Sequence, residues 1–356
     1  MTNYKIGLAW WSPGDEIGSS IASTLHDLGH QTVNFQAEEK LPEAEIIFAF
    51  GPFGSLTPIV NQLDAYPAKN RPKFIWWITE QLPNPEIPEV VRYPASIFRS
   101  SLDRACYVEC KPKKWVKRPG TDWILDRGNR YRYYGDLYWL KKKNILSVLA
   151  TPSQWVSDFL RPRGFDPVVA CISSNPGREA NLDLKRDIPV LWLGKVGSKR
   201  RERLLRRVRS ELSERGIEML VIDGVENPYV FGEERSKLLN RTEISLNLLR
   251  EKWDDNSLRY YFTAENHVLN ISEPTLPHSP FKPGEHIVEA PVDQLTDTIC
   301  YYLTQDEELR KITASAYKLV TRDLTLEISL TRILGRLTRK QSHPQGFASV
   351  SLEKAE

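Results

Sequence analysis

The chain has 356 residues, of which 40% are hydrophobic and 27% charged, with a formal net charge of +3 and a mean hydropathy of −0.44. This composition excludes a disordered or fibrous chain, and the length exceeds what one ordinary core organises, so two domains are expected. No apolar run reaches the roughly 20 residues that cross a bilayer. The start, MTNYKIGLAWW, lacks a secretory signal pattern, and so small a net charge makes no case for nucleic acid. Cys106, Cys110, Cys171 and Cys300 are scattered, as suits reduced thiols in the cytoplasm rather than a disulfide or zinc framework.

Apolar runs alternate with helical patterns from the start. YKIGLAWW (4–11) reads as a strand, SPGDEIGSS as a turn, and SSIASTLHDLGH as a helix with Ile21, Leu25 and Leu28 on one face. QTVNF (31–35), AEIIFAF (44–50) and KFIWWIT (73–79) are further strands, apolar enough to be buried on both faces of a parallel sheet. RGNRYRYYGDLYWLKKKN (127–144) is a basic, tyrosine-rich insertion, which reads either as surface packing or as a contact for an acceptor, a phosphate or a membrane surface. ILSVLATPS (145–153) and VVACISS (168–174) close the first half. NPGREANLDLKRDI (175–188) breaks the pattern, and PVLWLGKV, EMLVIDGV, ISLNLL and HIVEAPV then begin a second βα alternation. The expected architecture is α/β, two tandem Rossmann-like domains with parallel sheets facing a cleft. The first domain spans 1–177, the second 178–336, and 337–356 is a polar tail expected to fray.

Ligands of open α/β sheets bind beyond the carboxyl ends of the strands. In the first half that position is taken by Gly14, Asp15 and Gly18, which read either as a ligand loop or as a plain turn; no GxGxxG is present. LGKVGSKRR (193–201) is sharper. Gly194 and Gly197 allow a tight turn, a helix N-terminus offers free N–H groups, and Lys195, Lys199, Arg200 and Arg201 supply cations, as a diphosphate requires. Asn247, Asn256 and Arg259 fall in or beside the loop after the third strand of this half. Asp254–Asp255 is not a DxD, so no metal is expected. Glu80, beyond KFIWWIT, reads either as a general base or as a loop carboxylate.

With these residues in view, GSSIASTLHDLGHQTVNF, LGKVGSKRR, LNRTEISLNLL, LRYYFTAENHVLNISEP, PGEHIVEA and DTICYYLTQDEELRKITASAYKLV resemble, in order and spacing, the GT-B glycosyltransferases of the group-one, spore-maturation-like branch. The likeness is close in the C-terminal half and loose in the N-terminal half. It implies a nucleotide-sugar donor on the second domain and an acceptor on the first. Gly194, Lys195, Gly197, Lys199 and Arg200 would hold the diphosphate. Asn247, Asn256, Arg259, Glu265 and Glu273 would lie around the sugar and nucleotide. Phe262 stands where the family usually has glutamate, and His267 where it usually has glycine.

The expected function is metal-independent transfer of a hexosyl unit from a UDP- or GDP-linked sugar to a hydroxyl, with retention of configuration and no cofactor. The acceptor would be a glycan, a lipid-linked molecule or a small molecule, with peripheral membrane contact admitted and no nucleic-acid partner. A competing reading, favoured by Phe262 and His267, is a GT-B-like protein that binds a sugar, nucleotide or partner without catalysis. A nicotinamide-dependent oxidoreductase lacks its glycine fingerprint.

Overall fold

Near-continuous apolar runs become strands here because helices cover both faces of each sheet. The computed structural model describes residues 3–9, 16–51, 55–108, 111–112, 128–173, 182–251, 253, 257–275, 277 and 279–338. The first sheet contains β1 (Lys5–Ala9), β2 (Gln31–Phe35), β3 (Ile46–Phe50) and β4 (Lys73–Trp77). After a short antiparallel pair, β5 (Tyr107–Val108) and β6 (Lys111–Pro112), come its last two strands, β7 (Leu146–Thr151) and β8 (Val168–Val169). The order is β2-β1-β3-β4-β7-β8, parallel throughout. Alternate residues of β3 and β4 serve opposite cores. Ile47, Ala49, Phe74 and Trp76 pack beneath helices α2 (Thr57–Ala65), α4 (Asn129–Lys142) and α5 (Gln154–Leu160). Ile46, Phe48, Ile75 and Trp77 meet Ile21 and Leu25 of α1 (Glu16–Asp27) on the other side.

The tyrosine-rich stretch at 127–144 is largely internal. It forms α4, with Tyr133, Tyr134, Leu137 and Leu140 buried, against α3 (Glu89–Ala105). Gly135 permits that packing, since a Cβ there would stand 2.1 Å from the Ser96 carbonyl oxygen.

The second sheet has β9 (Ile188–Leu193), β10 (Met219–Ile222), β11 (Thr242–Asn247), β12 (Leu269–Ser272) and β13 (Val288–Glu289), in the order β10-β9-β11-β12-β13, again parallel. Its helices are α6 (Lys199–Glu214), α7 (Gly232–Asn240), α8 (Ser257–Glu265), α9 (Leu295–Tyr302) and α10 (Asp306–Lys318). Leu205, Val208 and Leu212 form the buried stripe of α6 at helical spacing.

The last helix, α11 (Leu326–Thr338), falls within the span expected for the second domain, 178–336, but packs on the first sheet. Its Leu326, Leu330, Ile333 and Leu334 pack with Ile6, Leu8, Ile21 and Leu25 of the first domain. Four apolar residues at helical spacing say that a face must be buried, but not against which sheet. The tail expected from 337 is still helical at 337 and 338, and the rest of it lies outside the described residues.

Candidate functional site

Beyond β9 the chain turns through Gly194 (φ 120°) and Gly197 (φ 70°), a backbone course that side chains rarely adopt. Ser198 then caps α6, its Oγ accepting the Arg201 N–H at 3.2 Å. The turn is held from inside: buried Arg201 donates to the carbonyls of Lys195 at 3.0 Å and Val196 at 3.3 Å. The Trp192 indole N–H donates to the Gly194 carbonyl at 2.8 Å. The exterior of the same turn is cationic. Lys195 and Lys199 are exposed, and neither has an ion-pair partner among the described residues.

Arg259, in the first turn of α8, is brought to this turn across the sheet. Its guanidinium lies 4.6 Å from the Trp192 ring centroid and donates to Asn247 Oδ1 at 2.6 Å. Asn247 is fixed in turn, its Nδ2 donating to Ser272 Oγ at 2.8 Å and Tyr260 Oη at 3.1 Å. A Cβ on Gly194 would stand 3.1 Å from Arg259 Nη2, a tight contact on top of a φ of 120° that side chains rarely adopt. The arrangement gathers the first N–H groups of α6, two exposed lysines and an oriented guanidinium at one turn, groups of the kind that bind a diphosphate.

Arg200 and Glu273 meet each other. Arg200 forms a two-pronged pair with the Glu273 carboxylate, one arm at 2.9 Å, and donates to the Leu249 carbonyl at 2.9 Å. Glu273 is 4% exposed and also accepts the Leu249 N–H at 2.5 Å. That hydrogen-bonded carboxylate holds the Arg200 pKa above its ordinary value, against the opposing effect of burial. Both residues expected to contact donor are thus engaged in joining the β11 and β12 loops to α6. Glu265 is buried at the far end of α8 from Arg259, away from the glycine turn. Gly18 is inside α1 rather than in a loop. Gly14, Asp15 and Asn256 lie outside the described residues.

The two departures from the family pattern have local explanations. His267 has φ 54° and follows α8, where the Val268 N–H donates to the Thr263 carbonyl at 2.9 Å and the His267 N–H to Ala264 at 3.2 Å. This is a Schellman ending whose left-handed position normally takes glycine. Here an imidazole takes it and stacks on Tyr317 at 4.1 Å. Phe262 lies under the Arg235 guanidinium at 3.9 Å. Arg235 also pairs with Glu16 at 2.7 Å, linking α7 of the second domain to the first turn of α1.

Across the cleft, Glu80 lines a pocket with Thr79, Gln81, Thr151, Trp155 and the second domain's Trp253. Burial pushes the neighbouring Tyr133 hydroxyl up to about 12; Arg132 opposes that rise and the Glu80 carboxylate adds to it. The sequence reading missed Trp192, Ser198, Gln81, Trp253 and the Glu16–Arg235 pair. Ser198 alone carried a signal, as a cap residue directly before a helix.

The family model described as "Glycosyl transferase-like" matches residues 200–335. No curated protein matches the chain in sequence. Among solved structures, AviGT4, described as a glycosyltransferase involved in avilamycin A biosynthesis, is 10% identical with a TM-score of 0.54, covering 94% of this chain and 97% of that one. HepE of Anabaena, solved with UDP-glucose, is 9% identical with a TM-score of 0.52, covering 94% and 99%. TarM is 9% identical with a TM-score of 0.53, and the match covers 83% of this chain but only 55% of TarM. At such identities the likeness establishes the fold alone: two parallel α/β domains in the GT-B arrangement.

Proposed function

We propose that the chain is a glycosyltransferase that takes a sugar from a nucleotide-diphosphate donor and gives it to an acceptor hydroxyl. The observation that carries this reading is the Gly194–Gly197 turn at the head of α6, with Lys195 and Lys199 facing solvent and Arg259 held beside Gly194. In the reaction the bond from the anomeric carbon to the diphosphate breaks, and its electron pair leaves with the diphosphate. The acceptor oxygen bonds to that carbon on the face the diphosphate leaves, so that configuration is retained, and its proton passes to the Glu80 carboxylate. Lys195, Lys199, Arg259 and the first N–H groups of α6 stabilise the charge that grows on the leaving group. Arg200 serves this site indirectly, by fixing the helix start through Glu273.

The reading includes hexosyl transfer with retention, a UDP- or GDP-linked donor, a glycan, lipid-linked or small-molecule acceptor, and no metal or cofactor. Among the described residues no group of three or more His, Cys, Asp and Glu side chains is placed to hold a metal ion; Asp254 and Asp255 lie outside them. Membership of the spore-maturation-like branch is supported by the order of motifs from Leu239 onward. Cys106, Cys171 and Cys300 are free thiols, which supports a cytoplasmic setting. Among the described residues no helix is long and apolar enough to cross a membrane.

A panel of UDP-, GDP- and dTDP-sugars, scored by thermal shift and by release of nucleoside diphosphate, tests the reading. At least one donor should raise the melting temperature and be turned over; failure of every nucleotide to bind refutes it. Phe262, in place of the family's glutamate, favours a second reading of binding without turnover. A stabilising donor that releases no diphosphate with any acceptor selects that reading.

A further inference from the structure

Helix α7 opens on Phe231, which offers no side-chain cap, and its first N–H meets a carboxylate of the other domain. Glu16, in the first turn of α1, accepts the Gly232 N–H at 3.3 Å through Oε2 and Arg235 Nη2 at 2.7 Å through Oε1. Both oxygens of one side chain thus hold groups that stand 216 and 219 residues away in the chain. Arg235 is 7% exposed, so water screens this pair less than the exposed pairs along α6. The Arg235 guanidinium also lies 3.9 Å from the centroid of the Phe262 ring, a contact that steadies a cation without neutralising it. Helices α1 and α7 both begin beyond the carboxyl ends of strands, β1 and β10, the ends at which open α/β sheets hold ligands. The end of β10 is joined to the donor turn directly, the Gly194 N–H donating to the Ile222 carbonyl at 2.9 Å.

We propose that Glu16 and Arg235 form a latch that holds the two domains closed on the side of the donor turn, and that Phe262 keeps Arg235 available for it. Parting the domains there takes from Arg235 its carboxylate and from the start of α7 its cap, so the closed arrangement is favoured by two hydrogen bonds to one ionised group. A glutamate at position 262 would stand under Arg235 and neutralise it within the second domain, leaving Glu16 to face a pair already formed. An aromatic ring supports the same guanidinium and leaves its charge for the other domain. Phe262 follows Arg259 by one turn of α8, so the latch stands on the helix that carries the donor-site arginine. The latch itself is independent of the glycosyl-transfer reading; its bearing on donor access rests on that reading.

Backbone hydrogen exchange at Gly232, measured on the full chain, reads the latch, because that N–H donates to the other domain. In Arg235→Ala the amide keeps Glu16 as an acceptor, yet its exchange should rise about tenfold, the effect of one lost charge-assisted hydrogen bond on the balance of open and closed forms. Glu16→Gln should raise it at least as much. The amides in the body of α7 should change less than about twofold in both variants. Phe262→Glu should exchange at Gly232 at least about threefold faster than Phe262→Gln, a side chain of the same size without the charge. An unprotected Gly232 in the wild-type chain, or unchanged exchange there in Arg235→Ala, overturns the latch. Faster exchange spread evenly along α7 also overturns it, since Arg235 would then serve the helix and not the closure. Equal exchange in the two Phe262 variants overturns the part given to Phe262. UDP titrated onto the unsubstituted chain tests the donor reading separately: its failure strikes that reading and leaves the exchange result standing.

Discussion

In the first domain Arg132 donates to Asp103 at 3.1 Å, Arg99 stands 4.0 Å from the same carboxylate, and Ser100 donates to Asp136 at 2.5 Å. All of these groups are buried between α3 and α4. In the second domain Lys195 and Lys199 stand exposed on a glycine turn without an ion-pair partner among the described residues. Both regions are rich in cations. The difference is where the opposing charge comes from. The first cluster sets carboxylates and a hydroxyl of its own against its buried arginines. The second braces its backbone from within, through Arg201 and Trp192, and keeps Lys195 and Lys199 exposed.

The largest effect should come from opening the closed cluster. Asp103→Ala leaves Arg132 buried without its carboxylate, and Ser55 and Thr57 without their acceptor. A loss of about 3–5 kcal/mol in chemical denaturation is expected. A loss no larger than that of a surface substitution would place the network outside the core.

The next effect is a pH dependence. Burial pushes the Asp136 carboxyl up from 3.8 to about 7; Ser100 and the Arg132 and Arg104 charges work against that rise, and Asp103 adds to it. Because the folded value lies above the unfolded one, the stability this group contributes is fully present below 3.8. It is lost as pH rises through about 7. Relative to wild type, Asp136→Asn should therefore gain about 2–4 kcal/mol between pH 4 and pH 8. Parallel stability curves for the two proteins would contradict this.

Arg200→Ala separates the two kinds of cation within the second domain. It removes the charged partner of Glu273, which is 4% exposed, and should cost about 2–3 kcal/mol of stability. If it instead left stability intact and abolished nucleotide binding, Arg200 would belong with Lys195 and Lys199 on the ligand side.

Much of the fold was legible because its central strands are apolar on both faces and α1 and α6 run into the positive-φ glycines Gly29 and Gly216. QTVNF became β2 at the same residues, and the second βα alternation begins at β9 as its pattern indicates. What the sequence withheld were relations across space. Nothing local says that the apolar stripe of α11 lies against the first sheet, or that the tyrosines of 127–144 face inward. The glycine turn was readable as a motif, since its glycines, cap and cations are contiguous. The Arg200–Glu273 pair was not, because 73 residues separate its members and each alone looks like a ligand contact. His267 looked like a departure from a site, yet its backbone keeps the left-handed course that a glycine would have taken.

The central claim is that Lys195 and Lys199 exist for a diphosphate rather than for the fold. Calorimetric titration of UDP and GDP onto the wild-type chain and onto the Lys195→Ala, Lys199→Ala double variant tests it most directly. Stability should stay within about 0.5 kcal/mol of wild type, as for exposed substitutions. Affinity for the preferred nucleotide should fall at least about tenfold. Equal affinity in the two proteins, with the fold intact, would contradict the assignment of this turn as the donor site.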